Sequence, residues 1–254
     1  MLFYKTQYSI LLKYVLEHIV IQFMVLAVIS FKERKMTKNT FHIYGPTFSN
    51  FVRSVMLVCE EIESNYTVGL EVNGQEIPFK GEQHLKWHPF GKIPVLLTQD
   101  PQQNEVAIPE TASICRYLDA QQQLQPKEAT LLAQHDALCA QISIDIDKVL
   151  VREYLMEFAF PKGENNSVRF DLVNEVRPKA ITTLAIIEKM LLQGNLFSSE
   201  QFTIADALLA PMLHYISCLP TDFNLLADFP QTEQYLENIM RRPSAKKVLL
   251  SKKL

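Results

Sequence analysis

The chain has 254 residues, enough for two domains of ordinary size. Hydrophobic residues make up 48% of it and charged residues 21%, which is typical of a folded globular protein and argues against a disordered one. The formal net charge is −3, and it is more negative without residues 1–35, which hold five basic residues and two acidic ones. A body of that charge lacks the basic surface expected of a nucleic-acid-binding protein, so we predict no nucleic-acid partner.

The glycines, cysteines and histidines exclude several classes of site. The chain has no G-x-G-x-x-G, and its one P-loop-like glycine spacing lacks the following Lys-Ser/Thr pair. The four cysteines form no C-x-x-C pair, which favours reduced thiols in a cytoplasmic protein over a zinc or dithiol site. His84 and His88 have a metal-like spacing, but the Glu of H-E-x-x-H is missing and Pro89 ends the helix. We therefore predict no metal.

Residues 8–31 are strongly apolar, but Lys13 and Glu17 interrupt them. The uncharged stretch that remains has 14 residues, fewer than the roughly 18 to 20 that span a bilayer. Three interpretations of residues 1–35 stay open, in order of preference: an upstream extension absent from a working protein that starts at Met36, a membrane anchor, and a cleaved signal. We expect membrane contact only if this segment belongs to the protein.

From residue 40 onward the pattern of apolar residues predicts first a mixed α/β domain and then an all-α domain. We expect strands at 40–44, 66–72, 93–98 and 105–108, and helices at 49–63 and 111–118. Residues 121–127, with three consecutive glutamines and a proline, predict a linker. Beyond it we expect helices at 128–158, 168–193, 203–219 and 231–241. The predicted domains are residues 40–120 and 128–254.

Two predicted helix starts carry polar residues with two interpretations each. Ser49 begins the first helix, where serine is a common N-cap. Glu110 precedes the helix at 111–118, where it could cap the helix or bind a substrate ammonium while the helix amides take a carboxylate. Thr203 and Asp206 begin a third helix with capping-box spacing, to which we assign a folding role.

The Ile93-Pro94 pair opens a strand, a costly place for proline inside a sheet. The pair makes sense if its peptide bond is cis and turns the amide and carbonyl of Ile93 outward to pair with the backbone of a ligand.

Four segments, in this order, resemble the cytosolic glutathione transferases, and in particular the serine-type, phi-like enzymes and their bacterial relatives. They are residues 44–55 (YGPTFSNFVRSV), 88–96 (HPFGKIPVL), 108–118 (IPETASICRYL) and 202–215. The resemblance implies an α/β thioredoxin-like N-terminal domain followed by an all-α helical C-terminal domain. It also implies a cytoplasmic homodimer active in detoxification, with glutathione as co-substrate and a small electrophile as the other partner.

The resemblance assigns roles to five residues. The hydroxyl of Ser49 would bond the glutathione sulfur and favour the thiolate, which then attacks the electrophile. The main chain of Ile93 would pair with the cysteinyl unit. Glu110 and Thr111 would hold the γ-glutamyl group, and Lys92 would line the same site.

One segment departs from the family pattern. Related sequences hold the glycine carboxylate of glutathione with a basic pair, and the corresponding loop is shortened here at residues 81–85. We expect His84 or Lys80 to substitute for that pair. If Ser49 only caps its helix, Tyr44 and Thr47 are the next candidates to stabilise the thiolate.

The same architecture leaves two other functions open. One is a non-catalytic binding or assembly module with the glutathione transferase fold. The other is a glutathione-dependent lyase, isomerase or dehalogenase.

Overall fold

The computed structural model describes residues 41–194, 197 and 201–249. The predictions for residues 1–35 lie outside the described residues.

A four-stranded mixed sheet forms the first half of the described chain. In chain order the strands are β1 (Phe41–Tyr44), β2 (Tyr66–Gly69), β3 (Glu71–Val72), β4 (Gln75–Glu76), β5 (Val95–Gln99) and β6 (Glu105–Pro109). The order in the sheet is β2-β1-β5-β6, with β2 parallel to β1 and the remaining pairs antiparallel. The strands predicted at 93–98 and 105–108 are confirmed as β5 and β6, which pair with each other as an antiparallel hairpin.

The strand predicted at 66–72 is wrong in one respect, because it is two strands. It ends at Gly69, whose φ of 149° is open to glycine and costly for other residues. The chain then turns away, and β3 pairs with β4 in a separate hairpin across Asn73-Gly74.

Three helices pack with the sheet. They are α1 (Asn50–Glu61), α2 (Glu82–Trp87) and α3 (Thr111–Leu118). Side chains on the two faces of the sheet alternate, as strand geometry requires. Ile43 and Leu96 enter the main core, whereas Tyr44, Val95 and Leu97 form a smaller cluster with residues that include Trp87 of α2.

The second half is helical, as predicted. Its helices are α4 (Ala129–Gln141), a π-helical segment (Ile142–Leu155), α5 (Met156–Ala159), α6 (Phe170–Gln193), α7 (Ile204–Ser217), α8 (Pro230–Met240) and α9 (Pro243–Leu249). The helix predicted at 128–158 therefore contains a π-helical segment, and α9 was not predicted. The capping box at the start of α7 is confirmed, with Thr203 and Asp206 bonded to each other in both directions.

One hydrophobic core joins the two halves. It contains side chains from the sheet, from α1 and α3, and from the helical half, including Ile43, Leu96, Val55, Ile114, Leu138, Leu184 and Leu208. Helix α1 packs against both α3 and α7. Because the sheet and the helical half share one core, their relative position is fixed. The walls of a cavity between them are therefore fixed as well.

Among the described helices, none combines the length and the hydropathy that a membrane crossing requires.

Candidate functional site

A cavity of about 980 Å³ opens between the sheet and the helical half. It is at the upper end of the range of roughly 300 to 1,000 Å³ that small-molecule sites occupy. One wall, here called the sheet-domain wall, comes from residues 46, 48–51, 70, 79–80, 88, 90–94 and 110–112. The opposite helical wall comes from the π-helical segment, α5 and α7. Five of the six predicted site residues line the cavity: Ser49, Lys92, Ile93, Glu110 and Thr111.

Ser49 occupies the N-cap position of α1, with extended backbone angles, but its side chain does not cap the helix. Its hydroxyl makes no hydrogen bond to any described residue, and it is half-buried on the cavity wall. The first turn of α1 has no acidic residue, so the positive end of the helix dipole is not neutralised there. A hydroxyl without a partner at this place is available to donate to an anion in the cavity.

Bonds from two side chains fix the turn that carries Ser49. Arg53 Nε donates to the carbonyl of Thr47 at 2.9 Å, and the hydroxyl of Tyr215 on α7 donates to the carbonyl of Phe48. The Arg53 guanidinium also lies 4.6 Å from the centre of the Tyr215 ring. The position of Ser49 thus depends on both halves of the molecule.

The two other candidates for thiolate stabilisation lie off the cavity wall. Tyr44 is fully buried and donates its hydroxyl to the carbonyl of Ile77 at 3.0 Å, and burial raises its pKa. Thr47 is exposed and does not line the cavity. Neither residue takes the place of Ser49 in this geometry.

The Ile93-Pro94 peptide bond is cis, which confirms the prediction. Ile93 lies just before β5, and neither its amide nor its carbonyl is bonded to another described residue. A backbone amide or carbonyl that loses contact with water costs free energy unless it forms a hydrogen bond. Ile93 therefore offers its amide as a donor and its carbonyl as an acceptor to an extended ligand.

Glu110 precedes α3 with a φ of 68°, a left-handed conformation that is unfavourable for glutamate. Its side chain does not cap the helix and is 62% exposed. His88, only 3% exposed, lies with Nε2 3.6 Å from the Glu110 carboxylate. Because His88 Nδ1 accepts a bond from the Phe90 amide, Nε2 carries the proton and faces the carboxylate. The Glu110 carboxylate therefore lies at the cavity and does not cap α3.

The prediction that His84 holds a carboxylate is corrected. His84 is fully buried and does not line the cavity. Its Nδ1 accepts from the Lys80 amide and its Nε2 donates to the Lys92 carbonyl, each at 2.9 Å, so both ring nitrogens are used. The histidine connects two loops of the wall. Lys80, the other candidate, does line the cavity.

The residues of the helical wall could not be predicted from the sequence. It is mostly apolar, but it also carries Ser143, Asp147 and Arg152. Aromatic side chains at helical spacing are more often part of the core than of a cavity wall. Tyr154 is indeed fully buried, whereas Tyr215 lines the cavity.

The described part of the chain holds no cluster of metal ligands, and three of its cysteine thiols are buried. No group of three or more His, Cys, Asp or Glu side chains there could hold a metal ion. The thiols of Cys59, Cys115 and Cys139 are buried, and burial raises the pKa of Cys59 and Cys139 to about 12. These thiols are suited to packing rather than to reaction.

The fold and the cavity define a protein with a thioredoxin-like α/β domain, an all-α domain, and a binding site between them. Comparisons with known proteins identify the family. Residues 48–121 match the N-terminal domain of glutathione S-transferases, and residues 170–238 match the C-terminal domain. The chain belongs to the cytosolic glutathione transferase family, a family of enzymes.

Individual relatives agree with this assignment over nearly their whole length. The chain is 24% identical to "Probable glutathione S-transferase GSTF1" of Oryza sativa subsp. japonica, over 81% of this chain and 94% of the relative. It is also 24% identical to glutathione S-transferase F7 of Arabidopsis thaliana, over 82% of this chain and 98% of the relative.

Solved structures share the fold. Glutathione S-transferase I from maize, solved with an atrazine–glutathione conjugate, superposes with a TM-score of 0.66 at 21% identity, over 82% of this chain and 95% of that one. A glutathione S-transferase-I structure with lactoylglutathione gives 0.67 at 21% identity, over 82% and 97%. A glutathione S-transferase from the Antarctic clam Laternula elliptica gives 0.63 at 24% identity, over 84% and 96%.

Proposed function

We propose that this chain is a glutathione transferase that converts the glutathione thiol to a thiolate and directs it at a small electrophile. The observation that carries the proposal is the hydroxyl of Ser49, which has no hydrogen-bond partner among the described residues. It stands at the start of α1, on the sheet-domain wall, and faces a cavity with a largely apolar opposite wall.

The sheet-domain wall offers a partner for each part of glutathione. The carboxylate of Glu110 binds the ammonium of the γ-glutamyl unit, and the amides at the start of α3, beside Thr111, take its carboxylate. The free amide and carbonyl of Ile93 pair with the cysteinyl backbone. Lys80 and Lys92 line the same wall without an ion-pair partner among the described residues, and they are the groups available for the glycine carboxylate.

The chemistry follows from the position of the sulfur. A free cysteine thiol has a pKa of about 8.5, and a hydrogen bond donated to sulfur favours the charged form. Each unit by which the pKa falls stabilises the thiolate by about 1.36 kcal/mol. The thiol proton goes to solvent, and the thiolate forms a bond to the electrophilic carbon. With an aryl halide the halide departs with its electron pair; with an epoxide or an unsaturated carbonyl compound, the alkoxide or enolate that forms takes up a proton.

The relatives support an electrophile as second substrate. The maize enzyme was solved with a glutathione conjugate of atrazine. In this chain the apolar part of the helical wall, with Val151, Leu155, Met156 and Phe160, would hold such a compound.

Two measurements test the proposal together. The chain should be retained on immobilised glutathione, and it should conjugate at least one member of a panel of aryl halides, epoxides and unsaturated carbonyl compounds. Absence of retention would contradict the proposed site. Retention with no turnover over the whole panel would favour the non-catalytic binding or assembly module.

We also propose that the protein acts as a cytoplasmic homodimer. The four cysteines are free thiols, as is usual in a reducing compartment. Tyr117 and Leu131 place apolar surface in solvent on α3 and α4, where a second copy could cover it. Light scattering of the purified chain at several concentrations measures the oligomeric state, and a constant monomer mass would contradict the dimer.

A further inference from the structure

We propose that the preferred electrophile carries a carboxylate or a similar anionic group, and that Arg152 on the helical wall binds it. This inference rests on the proposed function, because it names the class of the second substrate.

Arg152 presents unused donors to the cavity. It lies near the end of the π-helical segment, its side chain is 54% exposed, and it lines the cavity. Only its Nε is bonded, to Asp147 at 2.9 Å, and its terminal nitrogens have no hydrogen-bond partner among the described residues. Since a guanidinium has five N–H donors, four remain for a ligand.

Asp147 engages only one of the guanidinium nitrogens of Arg152. Asp147 is only 8% exposed, and its second carboxylate oxygen accepts a bond from Asn50 at 3.2 Å. Both of its oxygens are therefore committed inside the wall. In this ion pair Asp147 is mostly buried, whereas Arg152 is more than half exposed at the cavity wall.

The neighbours of Arg152 suit an aryl carboxylate. Arg152 is the one lysine or arginine among the described residues of the helical wall, and the adjoining side chains Val151, Leu155 and Met156 are apolar. An aromatic ring can lie on this apolar surface while its carboxylate pairs with the guanidinium in the bidentate geometry that arginine favours. Phe51, whose ring centre is 6.0 Å from the guanidinium, extends the apolar surface toward the sheet-domain wall.

Arg152 and Ser49 line the same cavity, and hydrogen bonds connect Arg152 through Asp147 to Asn50. Asn50, which bonds Asp147, is the residue that follows Ser49. A carboxylate on Arg152 would therefore place the attached ring near the thiolate. The cations of the sheet-domain wall are left for glutathione.

The test compares two electrophiles whose main difference is charge: a chlorodinitrobenzoic acid and its methyl ester. Each kcat/KM is divided by the uncatalysed rate constant with glutathione, which removes the difference in intrinsic reactivity. We expect the wild-type chain to prefer the acid by about tenfold or more, the size expected of a charge-assisted hydrogen bond. Arg152→Gln should abolish the preference and leave the KM for glutathione unchanged.

Two further variants separate binding from structure. Arg152→Lys keeps the charge but loses the planar fork, so it should keep part of the preference. Arg177→Gln is the control, because Arg177 lies on α6, donates to the Asp222 carbonyl and does not line the cavity. It should behave as wild type.

Each outcome is decisive. Conjugation of both compounds without preference, or a preference that survives Arg152→Gln, would overturn this inference alone. Conjugation of neither compound by a chain that also fails on neutral electrophiles would overturn the proposed function, and this inference with it. If Arg152→Gln does not fold, the wild-type preference and its loss at high ionic strength still decide the matter.

Discussion

Ser49 shows why the type of a residue at a helix start does not settle its role. Serine is favoured at N-caps because its hydroxyl accepts a bond from an amide of the first turn. Here the serine holds the N-cap position with extended backbone but makes no such bond. Its hydroxyl therefore stabilises the fold little and can donate to a ligand instead.

We expect Ser49→Ala to lower kcat for conjugation on the order of a hundredfold, since loss of a donor to a developing anion typically costs that much. The KM for glutathione should change little, because Glu110 and Ile93 remain. Steady-state kinetics measure both constants. Ser113→Ala, at an exposed position on α3, is the matched control. Full activity of Ser49→Ala would show that the thiolate is stabilised elsewhere.

Glu110 is the second residue whose backbone singles it out. A left-handed conformation for glutamate costs about 1 to 3 kcal/mol and persists only where the surroundings hold it. The sequence allows two roles here, helix capping or binding of an ammonium group. In the structure the Glu110 carboxylate does not cap α3, and it lies 3.6 Å from Nε2 of the buried His88.

We expect Glu110→Gln to weaken glutathione binding by about 1.5 to 3 kcal/mol, because the amide keeps the shape but loses the charge that meets the ammonium. Isothermal titration calorimetry measures the change. Glu105→Gln, at an exposed position on β6 away from the cavity, should bind as wild type. Equal affinity of the folded Glu110→Gln variant would remove Glu110 from the site.

At the scale of elements, the last described helix is tied to the first. Arg242, just before α9, donates two bonds to the Glu61 carboxylate at the end of α1, at 2.8 and 2.6 Å, and Ser244 donates a third. Burial acts to raise the pKa of Glu61, but these bonds and the guanidinium charge outweigh it and hold the pKa below the ordinary 4.5.

A lowered pKa makes this link sensitive to acid. The folded state favours the ionised form, so the stabilisation is complete above about pH 4.5 and is lost as the pH falls toward the lower folded-state pKa. We expect Glu61→Gln to reduce the free energy of unfolding at pH 7 by about 1 to 3 kcal/mol. The loss should shrink below pH 4.5.

Urea denaturation at several pH values measures this effect. Glu175→Gln, at an exposed position on α6 beyond its first turn, should leave the stability unchanged. A loss in Glu61→Gln that is the same at all pH values would mean that packing, and not charge, connects α1 to α9.

The elements that could be predicted are those with a clear period. The hairpin of β5 and β6, α1, and α6 to α8 follow from strand or helix periodicity and from turn or cap residues. The break after Gly69 depends on a positive φ, which periodicity does not report. The wider turns of the π-helical segment change which residues share a face, so the exposure of Arg152 could not be read from the sequence.

At the scale of the whole molecule, the site depends on how two halves meet. Motifs in the first half located Ser49, Ile93 and Glu110 in the sequence, because each stands at a break between elements. The order of motifs does not give distances across the molecule. For that reason the sequence left His84 and Lys80 equivalent, and only the buried position of His84 separates them.

We predict that residues 1–35 are dispensable for binding; the described residues that line the cavity fall between 46 and 215. We expect a chain that starts at Met36 to bind glutathione with the affinity of the full-length chain and to unfold at the same temperature. Calorimetry and thermal unfolding of the two proteins test this. An unfolded or non-binding short chain would show that the segment is needed.

The central claim is that this cavity holds glutathione as a thiolate through the Ser49 hydroxyl. The most direct test is a pH titration of the ultraviolet absorbance of the bound thiolate, in the wild-type chain and in Ser49→Ala. We predict that the pKa of the bound thiol lies at least one unit below the roughly 8.5 of a free thiol in the wild type and returns toward that value in the variant. A bound thiol that titrates at the free value in the wild type, or at the same lowered value in both proteins, would contradict the account.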